Sequence, residues 1–213
     1  MGVQKNTLAT TKRFSTNGIL EDMEIKFFEG AEWAKIFEHN NHAKTVLFSG
    51  IADCLHSETT DKYSRLYLLD YFENINSKYE FLLEYPDDAP TSYNRWIQNN
   101  NPCNEFVPTS STEELYADGY EAVHIDWSSQ HWGGMTRHSS STTAISGTYL
   151  SGSVGSTNWF FAIGACSSYG SGIPSYNSTA NRVQLWVRID NLPEETKCQI
   201  TKNNIIANDF YEI

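Results

Sequence analysis

The sequence contains no hydrophobic run long enough to cross a membrane, and its cysteines show no metal-binding pattern. A membrane-spanning helix needs about 20 consecutive apolar residues, and structural zinc sites usually use closely spaced Cys pairs. The four cysteines stand far apart, at positions 54, 103, 166 and 198, so their spacing predicts neither a zinc site nor a disulfide pattern. Residues 1–23 lack the apolar segment of a signal peptide, and we expect synthesis in a cytosol with reduced thiols. We expect no metal ligands and no cofactor.

Positive charge is also scarce in this chain. It has 15 Lys and Arg against 26 Asp and Glu, which gives a formal net charge of −11 at pH 7. Nucleic-acid binding depends on clustered Lys and Arg that displace counterions, and anionic membranes attract basic segments. The charge balance therefore argues against nucleic acid and membrane as partners. We interpret the negative charge as a contribution to solubility.

The chain lacks any long segment with the periodicity of an amphipathic helix. It is instead composed of about ten short strand-like segments separated by Gly, Asn and Ser turns. At 213 residues it can bury roughly 70% of the surface that the unfolded chain exposes. This pattern predicts an all-β fold, an antiparallel β-sandwich of jelly-roll type. We divide it into an N-terminal arm (1–23, for attachment or oligomerisation), a sandwich domain (24–192) and a C-terminal tail with a hairpin (193–213).

Two segments organise the predicted sandwich. Residues 158–165 (NWFFAIGA) are apolar and aromatic and are bounded by Gly/Ser turns, which is typical of a strand buried on both faces. Residues 183–189 alternate apolar and polar side chains, which predicts a neighbouring strand with one face in water.

Further strands are predicted on both sides of polar turns. A strand at 23–28 is followed by a turn at Glu29-Gly30, and the polar turn at Asn40-Asn41, between residues 33–39 and 45–48, predicts a hairpin. Alternation places Trp33, Lys35, Phe37 and His39 on one face. The remaining predicted strands are residues 63–69, 79–85, 93–98, 120–127 and 148–150.

Side chains suited to sugar binding are concentrated in residues 93–98 and in a later Gly-containing loop. Sugars are bound by exposed aromatic rings, which pack on C–H-rich ring faces, together with amides and Arg for the hydroxyls. We therefore predict these ligand-binding residues: Tyr93, Asn94, Arg95, Gln98, His131, Trp132 and Arg137. Because half of the side chains of a strand point inward, the alternative places Trp96 and Trp159 in the core. Likewise, Arg95 and Arg188 could stack across a sheet as structural residues.

Signals of catalysis are weak. Glycoside hydrolysis needs two positioned carboxylates. Asp118, Glu121 and Asp126 lie near one another in sequence, but Glu121 and Asp126 have opposite strand parity. No GxSxG nucleophile elbow is present. The acids and histidine of residues 49–64 would hold a metal only if they converged, and a solvated loop or short helix is the simpler interpretation. We predict that the protein is not an enzyme.

Several segments of the chain, in this order, resemble adhesin-like domains of tail-fibre and other virion fibre proteins from gut-bacterial phages and prophages. The most distinctive segments are YNRWIQ at 93–98 followed by NP at 101–102, WGG at 132–134, NWFFAIG at 158–164 and LWVR at 185–188. The resemblance covers roughly residues 24–192, and the ending at 205–213 is also similar to the ends of such proteins. It includes no catalytic motif.

This resemblance implies a virion protein, made in the host bacterial cytoplasm, that recognises the host surface or decorates the particle. The implied partners are a bacterial surface glycan and other virion proteins, which the arm or the tail would contact. Fibre-type proteins are commonly threefold, which suggests a homo-oligomer, here a trimer. Only about 23 residues precede the domain, where fibre proteins usually have a long shaft. A purely structural virion component and a bacterial surface adhesin are the alternatives.

Overall fold

The computed structural model describes residues 10–16, 19–42, 48, 51–72, 77–104, 117–126, 133–135, 173–175 and 178–190. These ranges contain mainly antiparallel β-structure, so the prediction of an all-β fold is confirmed. The strands are β1 (Thr10–Thr16), β2 (Ile19–Phe28), β3 (Ala31–Asn40), β4 (His56–Glu58), β5 (Lys62–Arg65), β6 (Tyr79–Tyr85), β7 (Ala89–Gln98), β8 (Glu121–Ile125), β9 (Ile173–Ser175), β10 (Ser178–Ala180) and β11 (Arg182–Arg188). The helices are α1 (Ile51–Leu55) and a 3₁₀ helix (Leu66–Tyr71).

Nine of the described strands form one open sheet. Its main order is β1-β2-β3-β11-β6-β7-β8, while β5 pairs with β3 and β4 pairs with β5. The two remaining strands, β9 and β10, form a separate small hairpin. Within the described residues, therefore, the sheet is open and not closed into a barrel.

Strand β11 lies at the centre of this sheet. One of its edges pairs with β3 and the other with β6, so the backbone of Gln184–Val187 has neighbours on both sides. Those residues thus have no edge left for the predicted partner at 158–165, a segment that lies outside the described residues. The prediction of one wet face is also wrong, because every residue from Val183 to Val187 is buried.

A two-residue turn joins β2 to β3. Glu29 and Gly30 both have positive φ, 49° and 78°, and Phe28 pairs with Ala31 across the turn. Positive φ at both positions matches the right-handed twist of a hairpin, and glycine adopts it without steric cost. The predicted turn at Glu29-Gly30 is confirmed. The predicted domain boundary between residues 23 and 24 falls inside β2.

A β-bulge at Ile36 changes the faces of β3. Leu185 and Trp186, adjacent in β11, pair with Phe37 and Lys35, so Ile36 is an extra residue. As a result Phe37 and His39 lie on the opposite face from Trp33 and Lys35. The strict alternation predicted for residues 33–39 is therefore wrong beyond Ile36.

The first face of the sheet carries the main core. Phe37, Phe81, Trp96 and Leu185 are fully buried there. Side chains of the 3₁₀ helix, Leu66, Leu68 and Leu69, pack on the same cluster. This corrects the prediction of a single strand at 63–69, because β5 ends at Arg65 and the chain then turns into the 3₁₀ helix.

The second face is covered by its own long charged side chains. Trp33, Leu82 and Trp186 form a small buried cluster. The Lys26 ammonium lies 4.1 Å from the centre of the Trp186 ring. The Arg95 guanidinium carbon lies 5.4 Å from the centre of the Trp33 ring. Aliphatic stems of Lys and Arg cover apolar surface while their charged ends stay paired or hydrated. Lys26 and Arg95 therefore contribute to the burial of Trp186 and Trp33, which are 2% and 0% exposed.

The predicted strands at 79–85, 93–98 and 120–127 correspond to β6, β7 and β8, with β7 beginning earlier, at Ala89. The predicted C-terminal hairpin in 193–213 lies outside the described residues. Of the helices that the structure describes, none has the length and hydropathy of a membrane span.

Candidate ligand-binding cavity

Strand β7 divides the predicted ligand-binding residues between the two faces of the sheet. Asn94 and Gln98 are buried on the core face. The Gln98 amide accepts from Trp96 Nε1 at 2.7 Å and donates to the carbonyl oxygen of Met135 at 2.8 Å. Asn94 Oδ1 accepts from the backbone N–H of Asp126 at 3.1 Å. The structure therefore assigns Asn94 and Gln98 to the core and not to a ligand-binding surface, and Trp96 is a core residue as the alternative stated.

Arg95 lies on the second face in a network of charges. Its Nε donates to Glu80 Oε1 at 2.7 Å, and its Nη1 donates to Glu29 Oε2 at 2.9 Å. Arg188 donates to the other Glu80 oxygen at 2.9 Å and to Asp190 at 2.7 Å. Because one buried carboxylate joins both guanidinium groups, Arg95 and Arg188 are structural arginines that link β7, β6 and β11.

Tyr93 lies beside this network and is half-buried. Its hydroxyl donates to Glu29, its ring stacks on His124 with centroids 4.2 Å apart, and Phe28 contacts it edge-on at 5.0 Å. Burial raises the pKa of the Tyr93 hydroxyl, and the hydrogen bond to Glu29 raises it further. Tyr93 is thus a neutral aromatic residue next to Phe28.

His131, Trp132 and Arg137 lie outside the described residues. The glycines after Trp132 are nevertheless placed beside β7. The carbonyl oxygen of Gly133 accepts from the backbone N–H of Ala117 at 2.7 Å, and a Cβ at Gly134 (φ +84°) would lie 2.9 Å from both Ala117 Cβ and Gln98 Oε1. This close approach explains why the WGG motif needs glycine at its end.

A cavity of about 290 Å³ opens on the second face. Its walls come from β2, β6, β7, β11 and the β6–β7 turn. The lining residues are Glu24, Lys26, Phe27, Phe28, Glu84, Pro86, Ala89, Pro90, Gln184 and Trp186. None of these was predicted as a ligand-binding residue, since they converge only through the strand order β2-β3-β11-β6. Among the segments that carry the resemblance, LWVR contains one lining residue, Trp186, but it was not predicted to bind a ligand.

The charged groups of the cavity are paired with one another. Lys26 reaches from β2 across the ring of Trp186 and forms an ion pair with Glu84 of β6. Glu24 forms an ion pair with Lys35. Burial lowers the pKa of the Lys26 ammonium, and Glu84 only partly offsets this effect. Each carboxylate in the wall therefore has a cation beside it, and the cavity carries little net charge.

The Trp186 indole contributes a further polar group at the cavity wall. Trp186 is 2% exposed, and its Nε1–H has no acceptor within the described part of the chain. Buried donors without an acceptor are uncommon in folded proteins.

The acidic residues considered for catalysis have separate partners. Glu121 pairs with Lys78 at 2.5 Å, Asp126 with His124 at 3.0 Å, and Asp118 lies 3.4 Å from the Asn99 amide. Asp53 pairs with Lys62 at 2.7 Å, and it belongs to α1, a short helix as the simpler interpretation of residues 49–64 allowed. In the described ranges, no three His, Cys, Asp or Glu side chains converge as metal ligands.

Comparison with known proteins identifies no relative: neither a family model nor a curated protein matches this chain.

Proposed function

We propose that this chain is a non-catalytic, glycan-binding module of a phage virion, a fibre or decoration protein that recognises bacterial surface sugars. The cavity beside Trp186 is the single observation that supports binding most strongly. The assignment to a virion fibre depends on the sequence resemblance.

The walls of the cavity have the composition of a sugar-binding site. Phe28 supplies aromatic surface, and Lys26, Glu84 and Gln184 supply hydrogen-bonding groups. Such sites combine an apolar wall with a few placed polar groups. One shallow site binds a sugar weakly, and several copies in an oligomer would increase the avidity by orders of magnitude.

We also propose an architecture, an oligomeric state and a second contact region on the basis of the sequence. The domain is a β-sandwich, and the oligomer is a trimer attached through the N-terminal arm or the C-terminal tail. His131, Trp132 and Arg137 belong to a second contact region in the loops.

Binding of the purified protein to intact gut-bacterial cells tests the proposal. Phe28 lines the cavity on the second face, with the Tyr93 ring edge-on at 5.0 Å, so Phe28→Ser should fold and reduce saturable binding. Tyr71, 43% exposed on the 3₁₀ helix, gives the matched control, and Tyr71→Ser should bind like the wild type. A Trp132→Ala variant measures how much the second predicted contact region, at His131, Trp132 and Arg137, contributes to cell binding.

Absence of binding by a correctly assembled oligomer, across a broad panel of strains, would contradict this proposal. It would favour the alternative of a purely structural virion component. Equal losses in Phe28→Ser and Tyr71→Ser would show that the assay reports non-specific surface adhesion and not this cavity.

A further inference from the structure

We propose that the cavity binds an uncharged sugar unit through two adjacent hydroxyl groups, one held by the Lys26 ammonium and the other by the Glu84 carboxylate. This inference rests on the proposed function, and it specifies the class of sugar and the residues that select it.

The Lys26–Glu84 pair is chemically matched to a vicinal diol. An ammonium group only donates hydrogen bonds and a carboxylate only accepts them, whereas a hydroxyl does both. Adjacent hydroxyls can therefore accept from Lys26 and donate to Glu84 at the same time. The two side chains are 16% and 22% exposed, so they are held in place but still reachable from the cavity.

The charges around the cavity disfavour ionised ligands. An anion would approach two carboxylates, Glu24 and Glu84, in a chain of net charge −11. A cation would compete with Lys26 for the face of Trp186, which the ammonium already occupies at 4.1 Å. A neutral sugar meets neither obstacle, because the existing ion pairs remain balanced when it binds.

The apolar wall fits the C–H face of a sugar ring. Phe28, Pro86 and Pro90 line the cavity beside the ion pair. Its volume of about 290 Å³ lies at the lower end of the range of about 300–1,000 Å³ for small-molecule sites. One sugar unit would therefore be held, with the rest of a glycan outside.

Lys62 and Asp53 provide a matched control elsewhere in the same protein. Lys62 pairs with Asp53 at 2.7 Å, the two side chains are 19% and 18% exposed, and the Lys62 ammonium lies 5.4 Å from the centre of the Phe48 ring. This is the same combination of lysine, carboxylate and aromatic ring, and it does not line the cavity.

The test is ligand-observed NMR on the full chain with methyl hexopyranosides of the gluco, galacto and manno series, their 2-acetamido forms, and N-acetylneuraminic acid. We expect at least one neutral sugar to bind and N-acetylneuraminic acid not to bind. Lys26→Met and Glu84→Gln should each weaken the neutral sugar by about tenfold or more, since hydrogen bonds to charged groups are lost. Lys62→Met and Asp53→Asn should bind like the wild type.

Deoxy analogues of the bound sugar test the diol on the unmodified protein. Removal of either adjacent hydroxyl should abolish measurable binding, while removal of a distant hydroxyl should have little effect. The inference is overturned if the Lys26 and Glu84 variants bind normally, or if only the anionic sugar binds. It is also overturned if the protein binds cells but none of these sugars, a result that leaves the proposed function standing. If it binds neither cells nor sugars, both fail.

Discussion

At the scale of single residues, the second face of the sheet is stabilised by carboxylates that each bind two cationic side chains. Glu38 accepts from Arg182 on one oxygen, at 2.7 and 2.8 Å, and from Lys35 and Gln184 on the other, at 2.6 and 2.9 Å. Burial alone would raise the pKa of Glu38, but these hydrogen bonds and charges lower it below the ordinary value of 4.5.

Glu38 should therefore make the stability of the protein dependent on acid pH. A carboxylate with a lowered folded-state pKa stabilises the fold above its unfolded pKa, and this contribution disappears as the pH falls below about 4.5 and through the folded pKa. Glu38→Gln should reduce the free energy of unfolding by about 1–2 kcal/mol at pH 7. Urea titrations should show the difference from wild type shrinking toward pH 3; a difference independent of pH would contradict this account.

Arg95 is a predicted ligand-binding residue whose contacts are structural, and this can be tested separately from binding. Glu80 is 5% exposed and depends on Arg95 and Arg188 for its charge balance. Arg95→Ala should lower the free energy of unfolding by about 2–4 kcal/mol, because a buried carboxylate loses a partner. Adding Glu80→Gln should restore part of the loss in urea unfolding, since the amide is neutral. A change below about 0.5 kcal/mol in Arg95→Ala would contradict the structural role.

At the scale of elements, the bulge in β3 shows what alternation can and cannot predict. The strand itself, its turn at Glu29-Gly30 and its apolar composition follow from the sequence. The face of Phe37 does not, because it depends on pairing with Leu185 of β11, nearly 150 positions later. The 3₁₀ helix at Leu66–Tyr71 is a similar case: its buried leucines suit a strand equally well, and packing on the core decides between the two.

The candidate cavity could not be predicted from the sequence, because it too depends on the pairing of strands that are distant in the chain. Lys26, Glu84 and Trp186 belong to three strands that are remote in sequence, and each alone looks like an ordinary strand residue. The predicted residues Asn94 and Gln98 had the right chemistry for a ligand, but their parity in β7 points them into the core. Composition identifies suitable side chains, and only the pairing of strands shows which ones meet.

Deletion of Ile36 tests the bulge. Without Ile36, strict alternation still places Lys35 and Phe37 on the faces that they occupy now, so the loss should be limited to one buried side chain. We expect the deletion to destabilise the protein by about 2–4 kcal/mol, close to the effect of Ile36→Ala. Deletion of Ala34 should instead prevent folding, because it shifts Lys35 onto the core face. Circular dichroism and thermal melting of the three variants distinguish these outcomes, and an unfolded Ile36 deletion would count against the assigned bulge.

At the scale of the whole molecule, β11 joins two parts of the sheet. On one side lie β1, β2 and β3 with β4 and β5, and on the other lie β6, β7 and β8. The described strands of these two parts are hydrogen-bonded to each other only through β11. Cooperative unfolding of the sheet should therefore depend on this strand more than on the edge strand β8.

Proline substitutions should distinguish the central strand β11 from the edge strand β8. Gln184 lies between paired neighbours on both edges of β11, so Gln184→Pro should lower the free energy of unfolding by more than about 3 kcal/mol or prevent folding. Val123 is the extra residue in the irregular pairing of β8 with β7 and is 46% exposed. Val123→Pro should cost less than about 1.5 kcal/mol, because proline is tolerated at edge bulges. Equal effects in thermal melting would show that β11 has no special role.

The central position of β11 also sets a timetable for biosynthesis. This strand consists of residues 182–188, while the strands on either side of it, β3 and β6, end at residues 40 and 85. During translation, the two parts of the sheet therefore emerge from the ribosome with unpaired edges long before β11, which pairs with both, is synthesised. Open edges invite pairing with other nascent chains, so yield in a heterologous host should respond to chaperone supply and to slower translation at lower temperature.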